Sequence, residues 1–275
     1  MPASPSDVVA RYLQRIAYQG ESSATLATLQ SLLALHTANL PFENFSPLLG
    51  EPVSLQLPAL QAKLLDSPRG GWCFEHNTLL CAVLQHLGFD VTPLAARVLW
   101  MQSHDARPAR SHMLLQVRLP EGLYLADAGF GAVTLSAPLA LQTDSVQQTA
   151  HGTYRLNREP DGYSVWALLG DDWSVLYQFD LQPQQLADFD VLCWYLCHHP
   201  QSRFLHTIAA ARLRADGRHT LRDGRYMWRH ASGGVTQRDV TDTADLLHLL
   251  QHTFGIVLPG SAAANACLLK LLQPA

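Results

Sequence analysis

The run Arg69-Gly70-Gly71-Trp72-Cys73-Phe74-Glu75-His76-Asn77 joins a double-glycine turn to a cysteine at the start of an apolar helical pattern. Glycines permit the tight turn, and the apolar spacing from Leu79 to Leu87 predicts a helix that begins at Cys73 and ends near Gly88. A thiol at a helix N-terminus lies near the positive end of the helix dipole and near unpaired amide donors, which favour the thiolate. The run therefore predicts a nucleophilic cysteine at the start of a helix.

The sequence further along offers a base and a carboxylate for such a cysteine. His112 begins an alternating apolar run, Asp127 ends the next one, and Pro120-Glu121-Gly122 supplies the turn between them. If the two runs are adjacent antiparallel strands, His112 and Asp127 lie at comparable heights on one side of the sheet, where the Cys73 helix can pack. An imidazole can accept the thiol proton while a carboxylate fixes its tautomer, so a Cys73–His112–Asp127 catalytic triad is predicted.

Each member of this triad also has an ordinary structural interpretation. A single cysteine is more often a buried core thiol, one histidine among 13 is more often structural, and an aspartate just before a glycine is often a turn residue. From the residues alone, the catalytic and the structural interpretations both stay open.

The composition indicates a globular protein that forms a hydrophobic core. The 275 residues are 48% hydrophobic and 15% charged, with a net charge of −4, which gives no reason to expect nucleic acid or an anionic membrane as a partner. We expect no membrane span and no signal peptide, because no apolar run reaches the required length. Five cysteines without a dense framework favour free thiols in a reducing cytoplasm. The sequence does not indicate an oligomeric state.

The periodicity predicts an α+β fold in three parts. Residues 1–90 have helical spacing and form an N-terminal helical bundle. Residues 91–190 alternate with period two between tight turns, which is typical of a central antiparallel sheet or barrel. Residues 191–275 mix helical and strand-like segments, including strand-like residues 204–214 and two Asp-Gly hairpin signals.

Five segments between residues 41 and 204 resemble motifs of the arylamine N-acetyltransferase family. The run Arg69–Asn77 resembles the signature Arg-Gly-Gly-x-Cys-x-Glu-x-Asn that carries the nucleophile in that family. Ser111–Leu115 is similar to its catalytic-histidine strand, and Asp127–Gly131 to its Asp-Val-Gly-Phe-Gly segment with alanine in place of valine. Pro41–Asn44 resembles its early loop motif, and His199–Phe204 resembles the segment that brings a phenylalanine over the acceptor pocket.

This resemblance implies a fold and a reaction. The fold would be a helical bundle, a β-barrel and an α/β lid, with the first two resembling papain-like cysteine enzymes. The reaction would be a ping-pong transfer of acetyl from acetyl-CoA, the donor substrate, to an arylamine, arylhydrazine or hydrazide through acetyl-Cys73. No metal is implied.

The resemblance also implies residues for acceptor and CoA binding. Aromatic side chains can form a dry wall and stack on an aryl acceptor; the candidates are Phe42, Trp72, Phe130 and Phe204. Ordinary core packing is the alternative interpretation for these four residues.

Family precedent places CoA near the residues just before the catalytic histidine, here Arg110 and Ser111. Gly129 and Gly131 can let the backbone approach the pantetheine or pyrophosphate, although the run between them is too short for a Walker phosphate loop. A solvated loop face is an equally good interpretation of Arg110.

Other interpretations compete with these. The tract Cys193-Trp194-Tyr195-Leu196-Cys197-His198-His199 has metal-like residues, but a structural zinc normally needs a partner pair elsewhere, so core thiols are preferred. A papain- or transglutaminase-type hydrolase would use the same three catalytic groups. An amide synthase of natural-product assembly, or an inactive binding relative, would share the motifs.

Overall fold

The computed structural model describes residues 5–272, and the described chain begins with helices. Their positions follow the predicted apolar spacing, and the buried faces of α1, α2 and α5 meet in one core. The elements are α1 (Pro5–Arg15), α2 (Leu26–Asn39), the short strand β1 (Phe42–Glu43), α3 (Phe45–Leu48), α4 (Leu57–Leu60) with a π-helical continuation (Gln61–Leu65), and α5 (Cys73–His86).

An eight-stranded antiparallel sheet follows, as the alternating sequence predicts. Its strand order is β5-β4-β3-β2-β9-β8-β7-β6, so it is a meander with one long crossover, nearly closed on itself. The strands are β2 (Asp90–Val98), β3 (Arg110–Leu119), β4 (Gly122–Ala126), β5 (Leu139–Ala140), β6 (Val146–Thr149), β7 (Gly152–Glu159), β8 (Gly162–Leu169) and β9 (Asp172–Phe179).

The C-terminal part combines helices with a second sheet. Here the order β1-β10-β11-β12-β13 places the early strand β1 at an edge beside β10. The sheet therefore joins the N-terminal part of the chain to the C-terminal part. The elements are α6 (Leu186–His198), a 3-10 turn (Arg203–Leu205), β10 (Ala209–Arg214), β11 (Gly217–Arg222), β12 (Arg225–His230), β13 (Val235–Asp239), α7 (Thr243–Leu249) with a π-helical continuation (Leu250–Phe254), and α8 (Ala262–Leu272).

The α+β prediction is confirmed, but the secondary structure differs from it in places. The segment 204–214, expected to be strand-like throughout, contains the 3-10 turn before β10 begins at Ala209. Strand β13, whose five side chains are all exposed, was not predicted. Such an edge strand is held through its backbone, so it lacks the apolar alternation on which strand prediction depends.

Two clusters of buried apolar side chains hold the described chain together. The larger lies between the N-terminal helices, the eight-stranded sheet and α6. The smaller lies between the five-stranded sheet, α7 and α8, and includes Phe45 and Leu48 from α3. The division of the chain at residues 90 and 190 stays a prediction.

Candidate active site

Cys73 is the first residue of α5, as the sequence predicts. The backbone N–H of Trp72, which precedes the helix, donates to the Glu75 carboxylate at 3.2 Å, and Lys63 Nζ donates to the two oxygens of that carboxylate at 2.8 and 2.9 Å. Glu75 therefore fixes the first turn of the helix, in the manner of a capping box. The first amide groups of an α-helix have no partners within the helix, and in α5 these amides begin with that of Cys73 itself.

The double glycine brings the chain against the segment that contains β1. A Cβ on Gly70 would lie 1.9 Å from the Pro41 carbonyl oxygen, so this close approach requires glycine. The Gly71 N–H donates to that carbonyl at 3.2 Å, and the Glu43 N–H donates to the Gly71 carbonyl at 2.7 Å. The loop before Cys73 is thus hydrogen-bonded to β1 in both directions.

A buried ion pair reinforces the same contact. Arg69 Nε donates to Glu43 Oε1 at 2.8 Å, and Arg69 also reaches Glu51 at 3.2 Å. The second oxygen of Glu43 accepts the Phe45 N–H at 2.7 Å. Arg69 and Glu43, from two motifs 26 residues apart, therefore form one rigid support beneath the cysteine loop.

His112 and Asp127 meet as predicted. His112 Nε2 donates to Asp127 Oδ2 at 2.7 Å, and both side chains are buried. The register between β3 and β4 pairs Leu115 with Ala126, so Asp127 lies two residues away from the position directly opposite His112. The two side chains still point to the same face, and the diagonal separation is within their reach.

Cys73 completes this group. Its thiol lies 3.9 Å from the Ser111 carbonyl oxygen, and the Nδ1 side of His112 is left for the sulfur because Nε2 is bound to Asp127. Burial opposes a charge on His112, but the charge and hydrogen bond of Asp127, together with those of Cys73, raise the pKa of His112 to about 10. The structure therefore brings together the three predicted catalytic side chains and favours a protonated imidazole.

The surroundings of Asp127 favour its ionised carboxylate form. Burial alone would raise the pKa of Asp127, but the His112 charge and several hydrogen bonds lower it. Its Oδ1 accepts from the Gly129 N–H at 2.9 Å and from Asn77 Nδ2 at 3.1 Å. The carboxylate is thus held in one orientation toward the imidazole.

Asn77 is a functional residue whose role the sequence did not reveal. Its Nδ2 donates to the Met113 carbonyl at 2.7 Å as well as to Asp127, and its Oδ1 accepts the Ala128 N–H at 3.0 Å. One amide therefore joins α5 to both strands that carry the histidine and the aspartate. Its position four residues after Cys73, on the same helix face, was the available signal.

Gly129 and Gly131 occupy positions that restrict the side chain. A Cβ on Gly129 would lie 2.4 Å from Cys73 Cα, so the loop can touch the start of α5 only with glycine there. Gly131 has a φ of +85°, and a Cβ there would approach the Phe42 ring at 3.2 Å. These contacts account for both glycines by packing, and their predicted contact with CoA stays a prediction.

Aromatic rings surround the group. The Phe130 ring lies edge-on to His112 with centroids 5.2 Å apart, and the Tyr177 ring lies 5.0 Å from His112. Phe204 packs edge-on against Trp72 at 4.7 Å. Tyr177 was not predicted, because one buried aromatic in an alternating strand carries no local signal.

The four aromatic candidates differ in burial. Trp72 is 1% exposed and belongs to the core, whereas Phe42, Phe130 and Phe204 are partly buried at its margin. Their proposed contact with an acceptor stays a prediction.

Two of the predicted CoA residues, Arg110 and Ser111, are adjacent in β3. The Arg110 guanidinium forms an ion pair with Asp180, and both side chains are partly exposed. The carbonyl of the next residue, Ser111, faces the Cys73 thiol. Arg110 therefore already has an anionic partner, so a phosphate would have to share or displace Asp180.

Residues 5–272 show neither a metal-binding cluster nor a helix that could span a membrane. These residues contain no group of three or more histidine, cysteine, aspartate or glutamate side chains placed to hold a metal ion. No helix in the same range has the length and hydropathy needed to cross a membrane.

Comparisons with known proteins show the family of this chain. A family model described as N-acetyltransferase matches residues 25–263. The arylamine N-acetyltransferase of Mycolicibacterium smegmatis is 42% identical over 251 residues, covering 90% of this chain and 91% of that protein. The arylamine N-acetyltransferase of Escherichia coli strain K12 is 36% identical over 250 residues, covering 90% and 89%.

Solved structures extend the similarity to the fold. The arylamine N-acetyltransferase of Mycobacterium marinum has a TM-score of 0.93 at 38% identity and covers 96% of this chain and 100% of its own. The structure described as the same enzyme in complex with CoA has a TM-score of 0.91 at 38% identity, with coverages of 96% and 99%.

The fold and the family model define the class of protein as an N-acetyltransferase. More particularly, the chain belongs to the arylamine N-acetyltransferase family.

Proposed function

We propose that this protein moves an acetyl group from acetyl-CoA to the nitrogen of an arylamine, arylhydrazine or hydrazide, by a ping-pong mechanism through acetyl-Cys73. The observation that supports this most is the buried convergence of Asp127, His112 and Cys73 at the start of α5. The M. marinum relative, described in complex with CoA, supports the choice of donor.

In the first half-reaction the thiolate of Cys73 attacks the thioester carbon of acetyl-CoA. The carbonyl oxygen becomes an oxyanion, for which the Cys73 N–H at the helix N-terminus is a candidate donor. The intermediate collapses by breaking the bond to the CoA sulfur. The His112 imidazolium then gives its proton to that sulfur, and CoA leaves as a thiol.

In the second half-reaction the amine nitrogen attacks the acetyl carbon on Cys73. His112, now neutral and still oriented by Asp127, accepts the proton that the nitrogen loses. The carbon–sulfur bond breaks, the N-acetyl product leaves, and the thiolate–imidazolium pair returns. Acyl exchange between two thiols is nearly balanced in energy, so the acetyl enzyme stays reactive toward an amine.

Water must be kept from acetyl-Cys73, because hydrolysis would waste the acetyl group. The rings of Phe130, Tyr177 and Phe204 lie around the triad and are suited to this role. We propose that Phe42, Phe130 and Phe204, which lie at the margin of the core, bind the aryl acceptor together with the more deeply buried Trp72. The residues Arg110, Ser111, Gly129 and Gly131 are proposed to lie along bound CoA.

Release of CoA in the presence and absence of an arylamine tests this proposal. We expect CoA release from acetyl-CoA to depend on the amine and to produce the N-acetyl amine in equal amounts. A hydrolase would release CoA and acetate without the amine. An amide synthase would leave acetyl-CoA unused and require an acyl group on a carrier protein or a bound polyketide. We also propose a cytoplasmic location, which the five cysteines without a dense framework favour.

A further inference from the structure

Three buried polar side chains form a hydrogen-bonded chain beneath the active site. The Tyr12 hydroxyl lies 3.0 Å from His36 Nδ1, His36 Nε2 lies 2.8 Å from His76 Nδ1, and His76 Nε2 lies 3.1 Å from the Pro41 carbonyl oxygen. All three side chains are fully buried. The chain crosses α1, α2 and α5 and ends on the backbone just before β1.

The hydrogen bonds that join these three side chains can point in only one direction while both imidazoles are uncharged. A carbonyl oxygen only accepts, so His76 Nε2 carries the proton and donates to Pro41. His76 Nδ1 must then accept from His36 Nε2–H, and His36 Nδ1 must accept from the Tyr12 hydroxyl. Each donor and acceptor along the chain is satisfied in this arrangement alone.

The carbonyl at the end of the chain touches the loop that delivers Cys73. The Pro41 oxygen also accepts the Gly71 N–H at 3.2 Å and packs within 1.9 Å of the position of a Cβ on Gly70. Cys73 follows two residues later. His76 therefore fixes, from within the cysteine helix itself, the carbonyl against which the turn before that helix is placed.

Burial keeps both imidazoles neutral. It lowers the pKa of His76 to about 4 and the pKa of His36 well below its ordinary value. The charged groups that act on the rings are Arg15 at His36, and Lys63 and Glu43 at His76. Apolar side chains of similar volume would fill this space without the cost of desolvating three polar groups. The hydrogen-bonded chain therefore contributes to the orientation of the Pro41 carbonyl rather than to stability.

We propose that Tyr12, His36 and His76 are positioning residues, a one-directional neutral hydrogen-bond chain that holds the Pro41 carbonyl and, through Gly71, orients the Cys73 thiol for acetylation. This inference rests on Cys73 being the acetyl carrier proposed above.

Nitrogen-15 NMR of the histidine-labelled full-length protein at pH 7 tests the direction of the chain. We expect both His36 and His76 to be neutral and protonated only at Nε2. A proton on Nδ1 of either ring, or a charged ring, would overturn the assignment.

Variants at residue 76 test the positioning role. In His76→Gln the amide N–H stands about where Nε2–H stood and can still donate to Pro41, whereas His76→Leu removes the donor. We expect His76→Leu to slow the acetylation of Cys73 by acetyl-CoA about tenfold and His76→Gln to slow it only about threefold, because the glutamine keeps the donor to Pro41 although both variants break the link to His36 and lower the unfolding temperature alike. Equal rates in the two variants, or a wild-type rate in His76→Leu, would contradict the proposal.

A matched control and a milder variant complete the test. His219, a buried histidine bound to Tyr226 in the second sheet, has no link to the cysteine loop, so His219→Leu should acetylate Cys73 at the wild-type rate. If His76→Leu does not fold, Tyr12→Phe keeps the ring and removes only the last donor. It should slow acetylation by about threefold, and an unchanged rate would count against the chain.

The two proposals fail differently. If the wild-type protein takes no acetyl group from acetyl-CoA, the proposed function is wrong, while the NMR result still reports on the chain. If the wild type is acetylated normally and the His76 variants are too, only the positioning role is wrong.

Discussion

At the scale of single residues, the charge on His112 is the property on which the chemistry depends. A buried imidazole would ordinarily be neutral, as His36 and His76 are. His112 differs because Asp127 accepts from it at 2.7 Å and Cys73 lies on its other side. Buried histidines near the same cysteine therefore differ in protonation because their partners differ. His112 is charged, whereas His76, which lies in the same helix as Cys73, is neutral.

The raised pKa of His112 predicts an unusual pH dependence for the alkylation of Cys73. A folded-state pKa of about 10, above the ordinary value of about 6.5, means that the proton is held fully below pH 6.5 and is lost only as the pH approaches 10. In the proposed ion pair this imidazolium keeps Cys73 as a thiolate, so the iodoacetamide reaction of Cys73 should vary little between about pH 6 and 9. A rate that falls about tenfold per unit below about pH 8.5, as for free cysteine, would contradict the ion pair.

Replacement of Asp127 by asparagine should lower the reactivity of Cys73 toward acetyl-CoA. Without the carboxylate the pKa of His112 falls and its tautomer is no longer fixed, so the acetylation rate of Cys73 should fall by about three orders of magnitude. Asp90, an exposed carboxylate paired with Arg118, serves as the control, and Asp90→Asn should leave the rate unchanged. Stopped-flow measurement of CoA release gives both rates; a drop of less than about tenfold in Asp127→Asn would show that the aspartate does not act through His112.

The sequence predicted which three side chains meet at the candidate site, but not their surroundings. Cys73, His112 and Asp127 each begin or end an apolar run beside turn residues, and each lies in a segment that resembles a family motif. Tyr177 and the partners of His76 lie far away in sequence and sit in ordinary apolar patterns, so their contacts arise only from the three-dimensional packing. The ion pair of Arg110 with Asp180, which changes the expectation for CoA binding, is likewise a contact across 70 residues.

At the scale of elements, the active site depends on how closely the loop after β4 approaches α5. That approach passes through Gly129, where a Cβ would collide with Cys73 Cα at 2.4 Å. The neighbouring atoms are backbone, which cannot move aside as a flexible side chain can. The contact also brings the Gly129 N–H to Asp127, so packing and orientation are linked at one residue.

Gly129→Ala should therefore damage both stability and reactivity. The added methyl group must push the loop from α5, at a cost of about 1–3 kcal/mol in the free energy of unfolding, and should slow the acetylation of Cys73. A Cβ added to Gly260 would have no atom within 4 Å, so Gly260→Ala should unfold at the wild-type urea concentration. Urea unfolding checks both variants, and equal midpoints for them would show that the close approach is not required.

The elements themselves were predictable to different degrees. The start of α5 and the Asp223-Gly224 hairpin were predicted correctly, because a helix N-terminus and a turn with positive φ each need particular residues. Asp223 and Gly224 have φ angles of 48° and 79°. The short strands β5 and β6 were missed. Their pairing depends on the neighbouring strands β4 and β7 rather than on their own two to four residues.

At the scale of the whole molecule, Asn44 connects the first part of the chain to the C-terminal part. Its Nδ2 donates to the Thr207 carbonyl at 2.7 Å and to the Phe204 carbonyl at 3.3 Å, and its Oδ1 accepts the Ala209 N–H at 2.9 Å. The segment that places Phe204 against Trp72 is thus held by one amide 160 residues away.

Asn44→Ala should affect the second half-reaction more than the first. Loss of these hydrogen bonds frees the segment with Phe204, the proposed acceptor wall, so transfer to an arylamine should slow by about tenfold, while acetylation of Cys73 stays within about twofold. Asn157→Ala on β7 is the control and should leave both steps unchanged. Pre-steady-state rates separate the two steps; equal slowing of both in Asn44→Ala would mean that Asn44 supports the whole site instead.

The overall α+β architecture could be predicted from periodicity, since helical spacing gives way to alternation near residue 90. The joining of β1 to the second sheet could not. Phe42 and Glu43 pair with Ala211 and Ala210 across more than half of the chain, and a two-residue strand has no pattern of its own.

The central claim is that Cys73 carries the acetyl group, and intact-protein mass spectrometry after incubation with acetyl-CoA tests it most directly. We predict the gain of one acetyl group, its absence in Cys73→Ala, and its loss when an arylamine or hydrazine is added. A folded wild-type protein that gains no acetyl group, or a Cys73→Ala variant that still gains and discharges one, would contradict the claim.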